Sequence, residues 1–420
     1  MSTAARVSLG AALLLALSGA SIPTAAASPA SADDPAPTTV RVSVDRDGGQ
    51  IDALSIHPHI SSTTSDVYFT SEGPLYSGDT NGVSDVYHGS LPVSYSGQNH
   101  GMGNGRSYDG APCSTGRMTA FVSEATDITT SGRTDTTPAI YVRNAAVGKA
   151  SFASHGYQGV PFTWAGQPVV SADCQWVAFS ATLPSAPDRV EQPRVYRYRI
   201  YDGSVQQVSQ DSDGSRAAVR PSISADGRYV AYQWSIPHPG GPANDSDIYV
   251  RDLETGTLEK ASVGRHGSAA NRESTGPSLS ADGRHIAFDS YASNLAPGDT
   301  NGSVNVFVRD LDKGVTRLVK GAGRRVYTAE AALSGDGLHL AYVSARLGEP
   351  GGVPAVYLRD LATGDTQLIS ADTTGHRNDQ AAQNPTVNEN GTAVAFDSAS
   401  PDLVPGDTNG TSDVFLRRVG

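Results

Sequence analysis

Two cysteines in 420 residues cannot build a disulfide scaffold, so a stable fold here must rest on buried apolar surface. Lysine is nearly as scarce, occurring only at 149, 260, 313 and 320, and no basic run exists. With a formal charge of -12, this argues against a nucleic-acid partner held through its phosphates. Long apolar runs are missing too: LGAALLLALSGA (9–20) falls short of the roughly 18 residues that cross a bilayer. It follows Arg6 and precedes small-residue stretches ending at Ala27 and Ala32. It therefore reads as a secretory signal peptide over 1–32, cleaved after Ala27 or Ala32. The expectation is a secreted, extracytoplasmic monomer, with 33–420 as a single domain and no stable membrane insertion.

What the chain has in abundance is repetition. PSISADGRYVAYQ (221–233), followed by SDIYVRDLETGTLEKAS (246–262), has a counterpart in PSLSADGRHIAFDS (277–290) with VNVFVRDLDKGVTRLVK (304–320). Further copies are AALSGDGLHLAYVS (331–344) with PAVYLRDLATGDTQLIS (354–370), and PTVNENGTAVAFDS (385–398) with SDVFLRRV (412–419). Looser copies begin at 58, 111 and 168. Aligned, they place Tyr68, Ala120, Ala178, Ala231, Ala287, Ala341 and Ala395 in register, 52 to 58 residues apart.

Within each copy a short strand, a tight turn, an apolar run, a variable loop, a second apolar run, a T-G-type turn and a polar strand follow in order. That is a four-stranded meander. Pro58, Pro168, Pro221, Pro277 and Pro385 are expected to open the first strand, where no ladder N–H is needed. Runs such as VAY and IYV suit strands covered on both faces, whereas the fourth strand is largely polar. The prediction is an all-β, seven-bladed β-propeller of four-stranded antiparallel blades. The last copy stops after its third strand, and TTVRVSVDRDG (38–48) matches a fourth strand in character. The N-terminal strand should complete the last blade and close the ring.

The S-x-D-G-R-x-[VI]-A-[FY] element followed by [IV]-[YF]-[VL]-R-D-L resembles the WD40-like (PD40) propeller repeats of the TolB type, found in bacterial envelope and secreted proteins. SADGRYVAY, SADGRHIAF and SGDGLHLAY carry it best, and the likeness covers essentially the whole chain after residue 32. It implies the fold. Some members of this repeat class are enzymes acting on extracellular polysaccharide. The G-x-S-x-G of the propeller-bearing oligopeptidases does not occur in this sequence.

Residues just before each first strand should ring the channel mouth: His57, Asp109, Gln167, Arg220, Glu330 and Asn384, with Gly276 in blade five. The set suits hydrogen bonding and lacks a convergent acid pair or metal triad. His57 and His59 form the one H-x-H; zinc would need at least one further ligand, and His59 standing where other copies have serine is the ordinary alternative. Three loops repeat D-T-N-G and offer Asp79, Asn81, Asp85; Asp299, Asn301, Asn305; and Asp407, Asn409, Asp413. Oxygen ligands at such spacing suit Ca²⁺, while Asx-type turns around Gly82, Gly302 and Gly410 explain the same residues without an ion. Cys113 and Cys174 fall at the first hairpins of adjacent blades, as a disulfide or as two buried thiols. Three functions fit: a non-catalytic propeller binding an extracellular protein or glycan at its loop face, a polysaccharide lyase or hydrolase, or a structural envelope scaffold.

Overall fold

The computed structural model describes residues 38–99, 101–184, 192–210, 216–236, 245–321, 326–346 and 352–419; the expected signal peptide lies outside them. The described residues form seven four-stranded antiparallel sheets, the blades of a propeller. In blade one the strands are Ser55–Ile60, Val67–Ser71, Asp85–His88 and Leu91–Pro92, paired in chain order. Blade seven departs from that order. Its first three strands are Ala382–Val387, Ala393–Ser398 and Asp413–Arg418, and the fourth is Thr38–Arg41, which runs antiparallel to the third with Thr38 opposite Arg418.

The middle strands carry the core. Ala120, Ala178, Ala231, Ala287, Ala341 and Ala395 are all 0% exposed, and aromatic residues beside them pair across the second and third strands. Phe288 lies opposite Phe307, and Phe396 opposite Phe415, with ring centroids 6.0 and 5.8 Å apart. Large rings next to a small residue at a fixed register let each sheet face interlock with its neighbour.

Between blades, the first turns are joined in a closed circle of main-chain hydrogen bonds. Thr63 N donates to Ser114 O (3.0 Å), Ser114 N to Ala172 O (3.4 Å), Asp173 N to Ala225 O (2.9 Å) and Ala225 N to Ala281 O (2.8 Å). Ala281 N then donates to Gly335 O (2.8 Å), Asp336 N to Glu389 O (2.9 Å), and Glu389 N to Ser62 O (3.0 Å), back in blade one. Cys113 and Cys174 sit in this circle, in the first turns of blades two and three, with Cα atoms 5.2 Å apart and sulfurs at bonding distance. Cys174 occupies the position that is glycine in five other blades (Gly116, Gly227, Gly283, Gly337 and Gly391), and it keeps the same positive φ, 60°.

One expectation is corrected. The prolines do not open the first strands. Those strands begin earlier, for example at Ala217 before Pro221 and at Ala382 before Pro385. Pro tolerates an interior position here because the ladder is interrupted where it sits.

Candidate functional site

That interruption builds the site. In every blade the pairing of first and second strands skips register at one place: between Ile56 and His59, Tyr108 and Ala111, Gly166 and Val169, and Val219 and Ser222 in blades one to four. Blades five to seven skip between Thr275 and Ser278, Ala329 and Ala332, and Gln383 and Thr386. The first residue of each skip has positive φ: His57 (53°), Asp109 (53°), Gln167 (57°), Arg220 (54°), Gly276 (60°), Glu330 (57°) and Asn384 (52°). Each is a β-bulge, which frees a main-chain N–H and turns a side chain out of the pleat. Residues placed by sequence just before the strand thus lie inside it, at its bulge.

Five of the freed N–H groups are taken up by the preceding blade. Arg220 N donates to Gln167 Oε1 (2.9 Å), Glu330 N to Asp289 Oδ2 (2.8 Å) and Asn384 N to Glu330 Oε2 (2.7 Å). Asp109 N donates to Thr70 Oγ1 and His57 N to Asp397 Oδ1, both at 3.3 Å. The six non-glycine bulge residues line one cavity of about 370 Å³, together with His59 and the prolines that follow four of them.

Charge in this cavity is unevenly spread. His57 Nδ1 lies 3.6 Å from Asp109 Oδ1, and the carboxylate beside it holds the imidazole above its ordinary pKa, against burial. His59 is pushed below it by burial. Glu330 is raised by burial, and so is Asp397, which accepts from Asn384 Nδ2 at 2.8 Å. Asp289 is pushed up to about 7 by burial, and its Oδ1 has no hydrogen-bond partner. Blade five presents only Gly276 at the bulge, and a Cβ there would meet nothing nearer than Asp289 Oδ2, at 3.9 Å. Asp289 thus lies behind the bulge of blade five and is not among the residues that line the cavity.

Asp289 and Asp397 are the residues that sequence reasoning missed. Both sit two places after the in-register alanine, in the A-F-D-S of blades five and seven, where blades two and six carry valine. A charged residue inside an otherwise apolar, doubly covered strand was the available signal.

The D-T-N-G loops bring each expected trio together. Asn81 Oδ1 accepts from Val83 N (3.0 Å), while its Nδ2 donates to Asp85 Oδ2 (2.7 Å) and to Gly103 O (2.8 Å) in the connection to blade two. Asn301 repeats this with Ser303 N, Asn305 and Val326 O, and Asn409 with Thr411 N, Asp413 and Ile51 O. Asp79 accepts from Tyr87 Oη, Asp299 from Asn305 Nδ2 (3.1 Å) and Asp407 from Gln50 Nε2 (2.9 Å). Each trio ties a loop to the next connection. Among the described residues no group of three or more His, Cys, Asp or Glu is placed to hold a metal ion.

No family model matches the chain, and no curated protein matches it in sequence. Solved structures do match. The oligogalacturonate lyase of Vibrio parahaemolyticus is similar over 91% of this chain and 96% of its own, at 13% identity and TM-score 0.56. A puromycin-hydrolyzing peptidase of Mycobacterium tuberculosis is similar over 89% of this chain and 54% of its own, at 16% identity and TM-score 0.55. A putative TolB from Agrobacterium tumefaciens aligns over 76% and 91%, at 14% identity and TM-score 0.43. The first two likenesses show a shared propeller architecture and leave activity to the site itself.

Proposed function

We propose that this chain is an exported, non-catalytic propeller that binds the hydroxyl-rich end of an extracellular glycan in its channel mouth. The observation that carries the reading is the ring of bulges, which turns six polar side chains into one cavity of about 370 Å³. That volume is in the range of small-ligand pockets. Donors (His57, Arg220), acceptors (Asp109, Glu330) and amides that do both (Gln167, Asn384) alternate around it, which matches hydroxyl groups that also both donate and accept. A protein loop presenting polar side chains is the competing occupant.

A second reading, an enzyme acting on polysaccharide, is favoured by one observation. Asp289, held at about 7, and His57, raised by Asp109, are groups able to exchange protons near neutral pH. The two readings separate in one experiment. The chain from residue 33 is incubated with a panel of soluble oligosaccharides, and both binding heat and product are followed. Binding without turnover, weakened about tenfold or more in R220A/N384A, supports the binder. Turnover lost in H57A and D289N supports the enzyme, and neither result returns the molecule to a scaffold.

A further inference from the structure

A different groove, of about 420 Å³, opens between blades five and six. Its lining includes residues of the first and third turns and shares none with the mouth. The repeat itself shows what is unusual there. In blade five, Arg309 on the third strand donates Nη1 to Thr316 Oγ1 (3.2 Å), and Nη2 lies 3.8 Å from Glu259 on the outer strand of blade four. Arg359 is the same residue of blade six and makes the same bond, Nη1 to Thr366 Oγ1 at 3.2 Å. The position equivalent to Glu259, opposite Val308 as Glu259 is opposite Val250, is Arg317. One interface therefore pairs opposite charges, whereas the next sets two guanidinium groups around one groove.

Neither Arg317 nor Arg359 has a carboxylate partner among the described residues. The one acid lining the groove, Asp310, is already held by Lys313 Nζ at 2.6 Å and lies 3.7 Å from His285 Nε2. Two aliphatic side chains of the groove, Val315 (47%) and Leu338 (51%), are among the most exposed large apolar groups described. Apart from His285 the lining holds no aromatic ring on which a sugar could stack. The outer strand Val315–Val319 is paired on one side only.

We propose that this groove docks an acidic, extended peptide segment of a partner protein. Its carboxylates meet Arg317 and Arg359, and its aliphatic side chains cover Val315 and Leu338. The free strand edge offers main-chain pairing, as in strand addition. Two unpaired cations in a chain of net charge -12 make the attraction local and salt-sensitive.

The test is fluorescence anisotropy with a short fluorescein-labelled peptide alternating aspartate and leucine. The chain from residue 33 should bind it saturably, and R317E/R359E should bind about tenfold more weakly or not at all. R220A/N384A should bind as well as the unaltered chain, which separates this groove from the mouth. If the double reversal lowers the melting temperature, R317E alone, on the exposed outer strand, gives the same readout. Equal binding by R317E, equal binding of a lysine–leucine peptide, or no saturable binding would each overturn the proposal. So would an anionic oligosaccharide that binds through Arg317 where the peptide does not.

Discussion

Strain and charge meet in the same few residues at the channel mouth. Each non-glycine bulge residue holds a φ that costs an L-residue about 1 kcal/mol, and six are set around one cavity. Beneath them Asp289, ordinarily ionised with a pKa of 3.8, keeps its proton to about 7 in the folded chain. Between roughly pH 4 and 7 the native state therefore holds a proton that the unfolded chain has released, so stability falls as pH rises through that window. D289N should consequently melt higher than the unaltered chain above pH 7, and the difference should shrink to nothing near pH 4. A difference that does not vary with pH would show that Asp289 is not desolvated. The residue level was half legible in the sequence. Alignment placed His57, Asp109, Gln167, Arg220, Glu330 and Asn384 together, because position in a repeat fixes position around a ring. It missed Asp289 and Asp397, because their burial depends on the neighbouring blade.

Elements are held to one another by their turns. The circle of first-turn hydrogen bonds passes through the Cys113 and Cys174 turns, and the cross-link between them would close a loop of sequence separation 61. Chain-entropy reasoning puts that restraint at roughly 4 kcal/mol, an upper value because the native turn must also fit the bond. C113S/C174G should lose less stability than C113S/C174S in denaturant unfolding, since glycine relieves the positive φ at 174. Equal losses would mean that the turn stores no strain. In the D-T-N-G loops the asparagine amides already point N–H groups at the oxygens of Asp85, Asn305 and Asp413 that a cation would use. Melting should therefore be insensitive to EDTA and to added calcium. N81A, N301A and N409A should each cost about 1 kcal/mol through the lost hydrogen bonds. A calcium-selective rise that disappears in D79A, D299A and D407A would instead make the loops ion sites. The strand pattern was readable from apolar runs and turn residues, but the bulges were not: proline marked the interruption, and the sequence reading took that mark for the strand's beginning.

At the scale of the whole molecule, seven blades close because the two ends of the described chain share one sheet. Val42 N donates to Val414 O (2.8 Å), Ser43 Oγ to Asp413 Oδ1 (2.6 Å), and Arg41 Nη1 lies 3.5 Å from Asp413 Oδ2. Removing residues 33–45 would strip blade seven of its outer strand and leave Asp413 buried without these partners. The truncated chain should lose several kcal/mol of the roughly 5 to 15 that a domain holds, and unfold at markedly lower denaturant. An unchanged midpoint would mean that the ring does not depend on its clasp. This closure was legible because a fourth-strand pattern stood ahead of the first repeat and was missing after the last. Function was less so, since a repeat specifies its blade and says little about the few side chains that differ between blades.

The most direct test of the central claim is a crystal structure of the chain from residue 33 soaked with whichever oligosaccharide binds it best. The account predicts sugar hydroxyls hydrogen-bonded to Arg220, Glu330 and Asn384 within the mouth, with the protein backbone unmoved. Density for the sugar on another face, with the mouth filled only by water, would contradict it.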